Sequence, residues 1–333
     1  MSSGEEIPDF TVEEAPFDDE APVALHAGGV VITGISGNLG RTLAKLLHKS
    51  ERVIGIDRRP MRGKPKDLEV HLIDIRRKKV EDVFRRGHVR ALIHMGIMHD
   101  PRLPAREHHT FNVLGTHLVL DYCARYHVPK VVVLSSASVY GPHPDNDNFL
   151  TEDSPLMAAS RFAEVRDLIE VDMYAQQFMW RHPEVETVVL RPVHIVGPDI
   201  KNAPANYLRL AHPWTLAGFD PMVQLIHQED ACRAMQAALK PGVRGVFNVV
   251  GPGEVPLSAV LRELNRSSIP MPHPIARGLL HKLWQYHLVS FPAPELDYLQ
   301  FLCTVDGSRA RKDLEFKPAF TLRETIRSVL PSG

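Results

Sequence analysis

Short, wholly apolar runs recur along this chain, and an amphipathic stretch follows most of them. Residues 29–33 (GVVIT) form the first run, and a glycine-bearing turn separates it from a helix expected near 39–49. Further runs at 52–57, 70–74, 91–94, 130–135 and 186–191 predict five more strands, and 246–250 predicts a last one. Between them, 80–86 predicts a helix, 107–126 a long helix and 162–181 a second long helix. A strand buried on both faces reads as a continuous apolar run rather than an alternation. Strands of this kind, separated by helices, predict an α/β fold with a doubly wound parallel sheet. Beyond Pro192 the alternation gives way to proline-rich pieces, from which a smaller lobe is expected.

Length and charge narrow the class. At ~150 residues per domain, 333 residues suggest two units. Lys and Arg total 39 against 40 for Asp and Glu, so no global basic field points to nucleic acid. No run approaches the ~18 apolar residues of a membrane span. The three cysteines, Cys123, Cys232 and Cys303, are odd in number and widely spaced. They suggest neither a disulfide framework nor a zinc ribbon, which fits a reducing, cytoplasmic setting. The first 40 residues hold eight acids and no Lys or Arg. Residues 1–27 read as a disordered acidic tail, either a plain solvated extension or a tether to a basic protein partner or to the basic face of its own body.

The turn after the first strand reads Gly34-Ile-Ser36-Gly37-Asn38-Leu39-Gly40. Glycines there let backbone approach a pyrophosphate, and the following helix offers amides and the positive end of its dipole. Asp57 ends the second strand, where a carboxylate can bind the adenosine ribose hydroxyls and favours NAD. Arg58 and Arg59 follow and could accept the extra phosphate of NADP. The expected division is therefore a Rossmann domain over 28–191 plus about 228–251, and a discontinuous C-terminal substrate lobe over 192–227 and 252–330.

With these motifs in view, the chain resembles the extended short-chain dehydrogenase/reductase superfamily, in its NAD-dependent epimerase/dehydratase branch. The glycine loop is one matching motif, and Asp74-Ile75 resembles the pair beside the adenine. His94-Met95-Gly96 stands where the family's alanine/glycine motif follows the fourth strand. Asn112 with Gly115-Thr116 resembles its Asn-x-x-Gly-Thr helix. Ser135-Ser136-Ala-Ser-Val-Tyr140-Gly141 looks like its active-site strand end. Arg191-Pro-Val-His194-Ile-Val196-Gly-Pro, His227-x-x-Asp230 and the stretch from Asp306 to Pro318 resemble its later segments. The resemblance implies a cofactor site of Gly34, Ser36, Gly37, Asn38, Leu39, Gly40, Asp57, Arg58, Asp74, Ile75, Met95, Gly96, Asn112, Ser135 and Arg166. It also implies a homodimer through the 107–126 and 162–181 helices.

The pattern fails at its chemistry. The family moves a proton through a Tyr whose pKa is lowered by a Lys four residues later, one helical turn away. Alignment on Glu170 puts Phe162 at the tyrosine position and Arg166 at the lysine position. Phe has no ionisable group. Arg keeps a charge and donors for the ribose. Tyr126 and Lys130 share the spacing but precede the serine strand, so they read as a decoy. Ser136 is the remaining catalytic candidate. Tyr140, His194 and Tyr207 are expected in the substrate pocket, and His143, His194 or Tyr207 could replace the phenol. No spacing in the sequence marks a metal site. An apolar helical face over 275–291 reads as core, a lid or a membrane-surface helix. Three functions follow: an NAD-binding pseudo-enzyme that senses or scaffolds, an active enzyme on a nucleotide-sugar with a non-standard acid/base, or an interaction protein recruited through its tail.

Overall fold

A computed structural model describes residues 28–86, 88–98, 104–158, 163–272 and 297–330. The acidic stretch 1–27, Phe162 and the apolar face over 275–291 lie outside the described residues.

The apolar runs fold as expected. β1 (Gly29–Thr33), β2 (Val53–Asp57), β3 (Glu69–Leu72), β4 (Val89–His94), β5 (Lys130–Leu134) and β6 (Glu186–Pro192) come first. Three short strands follow, β7 (His194–Val196), β8 (Trp214–Leu216) and β9 (Met222–His227). Last are β10 (Gly245–Val249), β11 (Glu254–Pro256) and β12 (Ile269–Met271). Seven strands form one sheet in the order β10-β6-β5-β4-β1-β2-β3, every pairing parallel. The order reverses beside β1, which places a ligand crevice at the carboxyl ends of β1 and β4.

Successive strand residues face opposite layers. Val30 and Ile32 pack with Leu43 and Leu47 on one side, and Val31 with Val119 and Leu120 on the other. α1 (Asn38–Leu47) buries Gly40, Leu43, Ala44 and Leu47, the single stripe that a helical period requires. α2 (Glu81–Arg86) is preceded by a 3₁₀ turn at Lys78–Val80, so the helix expected from residue 80 starts as a tighter coil.

The helix expected over 107–126 is not uniform. It runs as α3 (Ala105–His109), a π turn over Thr110–Leu114, then α4 (Gly115–Arg125). The wider turn lets Phe111, Asn112 and Val113 all point inward. α5 (Ala163–Arg181) is the second long helix.

The proline-rich region holds more order than its sequence suggests. β9 pairs parallel with β7 and antiparallel with β11, and β8 pairs with β12. α6 (Ala203–Arg209), α8 (Leu257–Glu263) and α10 (Leu322–Arg327) complete it, while α7 (Gln228–Ala238) and α9 (Ser308–Asp313) bury Met235, Ala238 and Ala310 in the core beside the main sheet. Leu208, Leu225, Val260, Leu261 and Ile326 pack there as a separate core. Most of these strands are only three residues long and lie beside prolines, so no apolar period announces them.

Candidate functional site

The glycine loop is built by close contact. Gly34 has φ +74°, and a Cβ there would stand 2.9 Å from the Gly96 Cα and from the Met95 carbonyl oxygen. The Gly34 carbonyl accepts from the Gly37 amide at 3.0 Å. A Cβ on Gly40 would lie 2.4 Å from that same carbonyl and 2.7 Å from the Ile35 oxygen. Gly37 differs: a Cβ would meet the Gly34 oxygen at 3.2 Å and only the Arg59 guanidinium beyond it, at 3.8 Å. Gly34 and Gly40 thus bring backbone together, whereas Gly37 keeps the outer face of the loop open. Gly37 is also the N-cap of α1, and no side chain caps that end. Its amides and dipole are available to an anion.

Asp57 holds this loop from below. It is 5% exposed, and its Oδ2 accepts from the Ser36 amide at 3.0 Å while Oδ1 accepts from the Arg59 amide at 2.9 Å. The Ser36 hydroxyl donates to the Arg59 carbonyl at 2.7 Å. Asn38 accepts from Arg41 at 2.6 Å and donates to the Asp199 carbonyl. Leu39 packs against the core beneath α1. The guanidinium groups of Arg58 and Arg76 lie over the Phe111 ring at 5.3 and 5.5 Å. Arg76 grips Asp74 through two bonds of 2.9 and 2.7 Å. Ile75 is buried against Gly115, where a Cβ would come within 2.6 Å of it. That contact gives the Gly-Thr motif a packing role.

A hydrogen-bond chain fixes the end of β4. The Thr116 hydroxyl donates to the Asn112 carbonyl, so it must accept from His94 Nε2 at 2.8 Å. His94 Nδ1 is then an acceptor, and the Thr33 hydroxyl donates to it at 2.8 Å. Thr33 Oγ1 in turn accepts from the Met95 and Gly96 amides, both at 3.2 Å. The Asn112 amide brackets Met98, accepting from its N–H at 2.7 Å and donating to its carbonyl at 3.2 Å. Every donor in this chain has one acceptor, and the pattern requires a neutral imidazole. Burial pushes His94 down to about 4.

An unfolded histidine titrates near 6.5, so between about 6.5 and 4 the unfolded chain binds the extra proton. Stability is therefore complete above that window and falls with pH inside it, by about 3 kcal/mol for His94. Urea melts at a series of pH values test this. His94→Gln should be less stable at pH 7.5, with a shallower pH slope by about one proton. An unchanged slope would remove His94 as the cause.

The serine strand end rests on a buried ion pair. Arg191 is 1% exposed and Asp172, on α5, is fully buried. They are joined by bonds of 2.9 and 2.7 Å. Ser135 donates to Asp172 at 2.6 Å, and Gln176 does so at 2.8 Å. Arg191 also donates to the Tyr140 hydroxyl at 2.8 Å, which donates to Asn248 Oδ1 at 2.8 Å. Tyr140 is 1% exposed, so its phenol is a strut of the core. Ser136 is half-buried and caps the turn Ala137–Val139, accepting from the Ser138 amide at 3.1 Å.

Of the residues expected in a substrate pocket, His194 lines one. The pocket sits beyond the ends of β5 and β6 and is lined by Ala137, Ser138, Val193, His194, Met222, Val223, Gln224, Tyr298, Phe301 and Cys303. Tyr140 and Tyr207 do not line it. The Tyr207 hydroxyl donates to the Trp214 carbonyl at 2.7 Å, inside the smaller lobe. The Tyr298 ring stands edge-on to His194 with centroids 5.8 Å apart, and its hydroxyl donates to the Ser138 carbonyl at 3.3 Å. Burial pushes His194 below its ordinary value and the Cys303 thiol up to about 12. His143 lies 3.5 Å from the exposed Asp145. Arg166 is exposed on α5. The Tyr126–Lys130 spacing is indeed a decoy. Tyr126 donates to Glu81 at 2.8 Å, while the Lys130 ammonium bonds Glu186 at 3.0 Å and the Lys240 carbonyl at 2.8 Å.

Sequence reasoning missed Tyr298, Gln224 and Phe301 in the pocket, because no motif attaches to them. It missed Asp172 as well, although a buried arginine at the end of β6 demands an acid.

Comparison with known proteins agrees with this geometry. The profile of the NAD dependent epimerase/dehydratase family matches residues 30–250. The chain belongs to that family, whose cofactor is NAD. An uncharacterized protein of Mycobacterium tuberculosis is 27% identical over 307 residues, covering 89% of this chain and 82% of that one. Among solved structures, MoeE5 in complex with UDP-glucuronic acid and NAD superposes with TM-score 0.73 at 20% identity, over 90% of this chain and 97% of that chain. The UDP-glucose 4-epimerase of Thermus thermophilus, in complex with NAD, superposes with TM-score 0.71 at 18% identity over the same shares. Among the described residues, no helix is long and apolar enough to cross a membrane.

Proposed function

We propose that this chain binds NAD in the glycine loop and serves as a dinucleotide sensor or scaffold in the cytoplasm, without ordinary hydride-transfer turnover. The observation that carries the reading is Phe162 at the family's tyrosine position, together with the engagement of the Tyr140 and Tyr207 phenols elsewhere. The loop suits the cofactor, since a Cβ on Gly37 would meet only the Gly34 oxygen and, beyond it, the Arg59 guanidinium, which leaves the outer face of the loop open to a pyrophosphate. Asp57, or Arg58 and Arg59 in the case of NADP, would meet the adenosine ribose. Arg166 would hold the nicotinamide ribose. Bound NAD supplies a hydride acceptor, but a substrate hydroxyl also needs a base. A positioned acid/base is worth about 10²–10⁴ in rate. Ser136 is too weak a base without a partner that lowers its pKa.

A second reading, an active enzyme with a non-standard acid/base, is favoured by one observation: His194 and Tyr298 meet at the pocket. Absorbance at the reduced-nicotinamide band, across UDP-, GDP- and dTDP-sugars with a coupled epimerase assay beside it, separates the two. The expected result is NAD binding with no turnover at ordinary enzyme rates. Turnover by the unmodified chain would refute the sensor reading and direct substitution to His194 and Tyr298. If the chain is inactive, weak activity in Phe162→Tyr/Arg166→Lys would show that only the proton relay was lost.

A homodimer is part of the same proposal. Leu114, Met173 and Trp180 are 48%, 58% and 82% exposed on the long helical segments. Apolar surface at these positions suits a second copy. Light scattering should give twice the chain mass, and Trp180→Glu should shift it toward one. A single-chain mass for the unmodified protein would refute the dimer.

A further inference from the structure

We propose that His109, Asp167 and Glu170 form a binding site for a divalent transition metal of the zinc class, one that ties the start of α5 to α3. His109 is the last residue of α3. Asp167 and Glu170 are three apart on α5 and so share a face of that helix. His109 Nδ1 lies 3.1 Å from Asp167 Oδ1 and 3.8 Å from Glu170 Oε2. The three donor atoms all lie within 4.8 Å of one another. Bonds of about 2.0–2.1 Å to a tetrahedral zinc ion put its ligands roughly 3.4 Å apart, so only small side-chain rotations are needed.

The charges point the same way. Asp167 is 7% exposed, and a buried carboxylate needs a counter-charge. Among the described residues, the ion pairs shown for Asp167 and Glu170 run to His109. Asp167 and Glu170 thus set two carboxylates beside one imidazole. A divalent ion balances both and takes the neutral imidazole as its third ligand. The donor set also matches the metal: imidazole and carboxylate suit zinc, with an open position for water.

An independent feature lies next along the same face. The His117 ring stacks on Tyr174, one turn beyond Glu170, with centroids 3.6 Å apart. Its Nε2 is buried and has no hydrogen-bond partner among the described residues. No linear motif reveals the site, because His109 stands far from the two acids in sequence and the fold alone brings them together.

The test uses the full chain stripped by a chelator and titrated with zinc chloride, followed by calorimetry and thermal melting. One zinc ion should bind per chain, with low-micromolar affinity or better, and should raise the melting temperature. Glu170→Gln removes an exposed ligand with little risk to folding. It should weaken binding at least about tenfold and reduce the thermal gain. His109→Ala should do the same, whereas His143→Ala, elsewhere on the surface, should bind zinc as the unmodified chain does. The proposal is overturned if Glu170→Gln and His109→Ala bind as tightly as the unmodified chain, which would place the metal on other histidines. It is equally overturned if the unmodified chain takes up no zinc at about 100 μM.

Discussion

Gly37→Leu is expected to abolish NAD binding while the chain still folds and melts within a few degrees of the unmodified protein. The reason lies in what each loop glycine touches. A Cβ at Gly40 would stand 2.4 Å from the Gly34 carbonyl, and one at Gly34 would stand 2.9 Å from Gly96. Substitution at either drives backbone into backbone, so folding and binding would fail together. Gly37 sits at φ −66° and ψ 165°, which any residue adopts, and its nearest neighbour would give by only a few tenths of an ångström. A leucine there would fill the space in which the proposed pyrophosphate sits and would cover the amides at the start of α1. The lost contacts should weaken binding on the order of a hundredfold or more. Calorimetric titration of NAD and NADP beside a thermal melt reads both quantities. Retained affinity in a folded Gly37→Leu protein would show that the dinucleotide does not use this loop.

That separation of roles marks how much the sequence discloses. Six of the seven sheet strands are legible as apolar runs, the edge strand β3 (EVHL) being half polar and partly exposed, and the glycine loop is legible because it lies between strand and helix. Gly34, Asp57, Met95 and Gly96 lie at the carboxyl ends of β1, β2 and β4, whereas Ser135 follows β5 and Arg166 is exposed on α5. Several residues expected around a cofactor act on their neighbours. Asn112 clamps Met98, Asp57 clamps the Ser36 and Arg59 amides, and Gly115 makes room for Ile75. A motif shows that a residue type matters, but not which atom it serves. The three-residue strands of the smaller lobe carry no period at all. The π turn at Thr110–Leu114 is equally silent in sequence, since a single extra residue per turn leaves an apolar pattern that still reads as α-helix. Tyr140 is the sharpest case. Its place after the serine strand suggests a pocket phenol, but the fold pairs it with Arg191 and Asn248.

Arg191 carries the largest stability prediction. Asp172→Ala should destabilise the chain by about 3–5 kcal/mol, because it leaves a guanidinium buried without its counter-charge. The carboxylate receives four donors: Ser135, Gln176 and two nitrogens of Arg191. Removing it orphans all of them in a site where neither ion-pair partner is more than 1% exposed. Native chains hold only about 5–15 kcal/mol in total, so urea unfolding should shift to a much lower midpoint. The pair as a whole is worth less than that loss, since bringing two charges out of water offsets much of their attraction. Asp172→Leu/Arg191→Met should therefore be more stable than Asp172→Ala, although it carries one more substitution. A single variant within about 1 kcal/mol of the unmodified chain would mean that water or another group neutralises Arg191. The damage should reach the site as well. Arg191 spans from α5 to Tyr140 and the Glu152 carbonyl, and Tyr140 continues to Asn248 on β10. Ser135, whose hydroxyl donates a hydrogen bond to Asp172, immediately precedes Ser136 and the pocket wall at Ala137 and Ser138. Loosening this brace should cost the pocket its shape before it costs the glycine loop its affinity. In the fraction of Asp172→Ala that remains folded, NAD binding should survive.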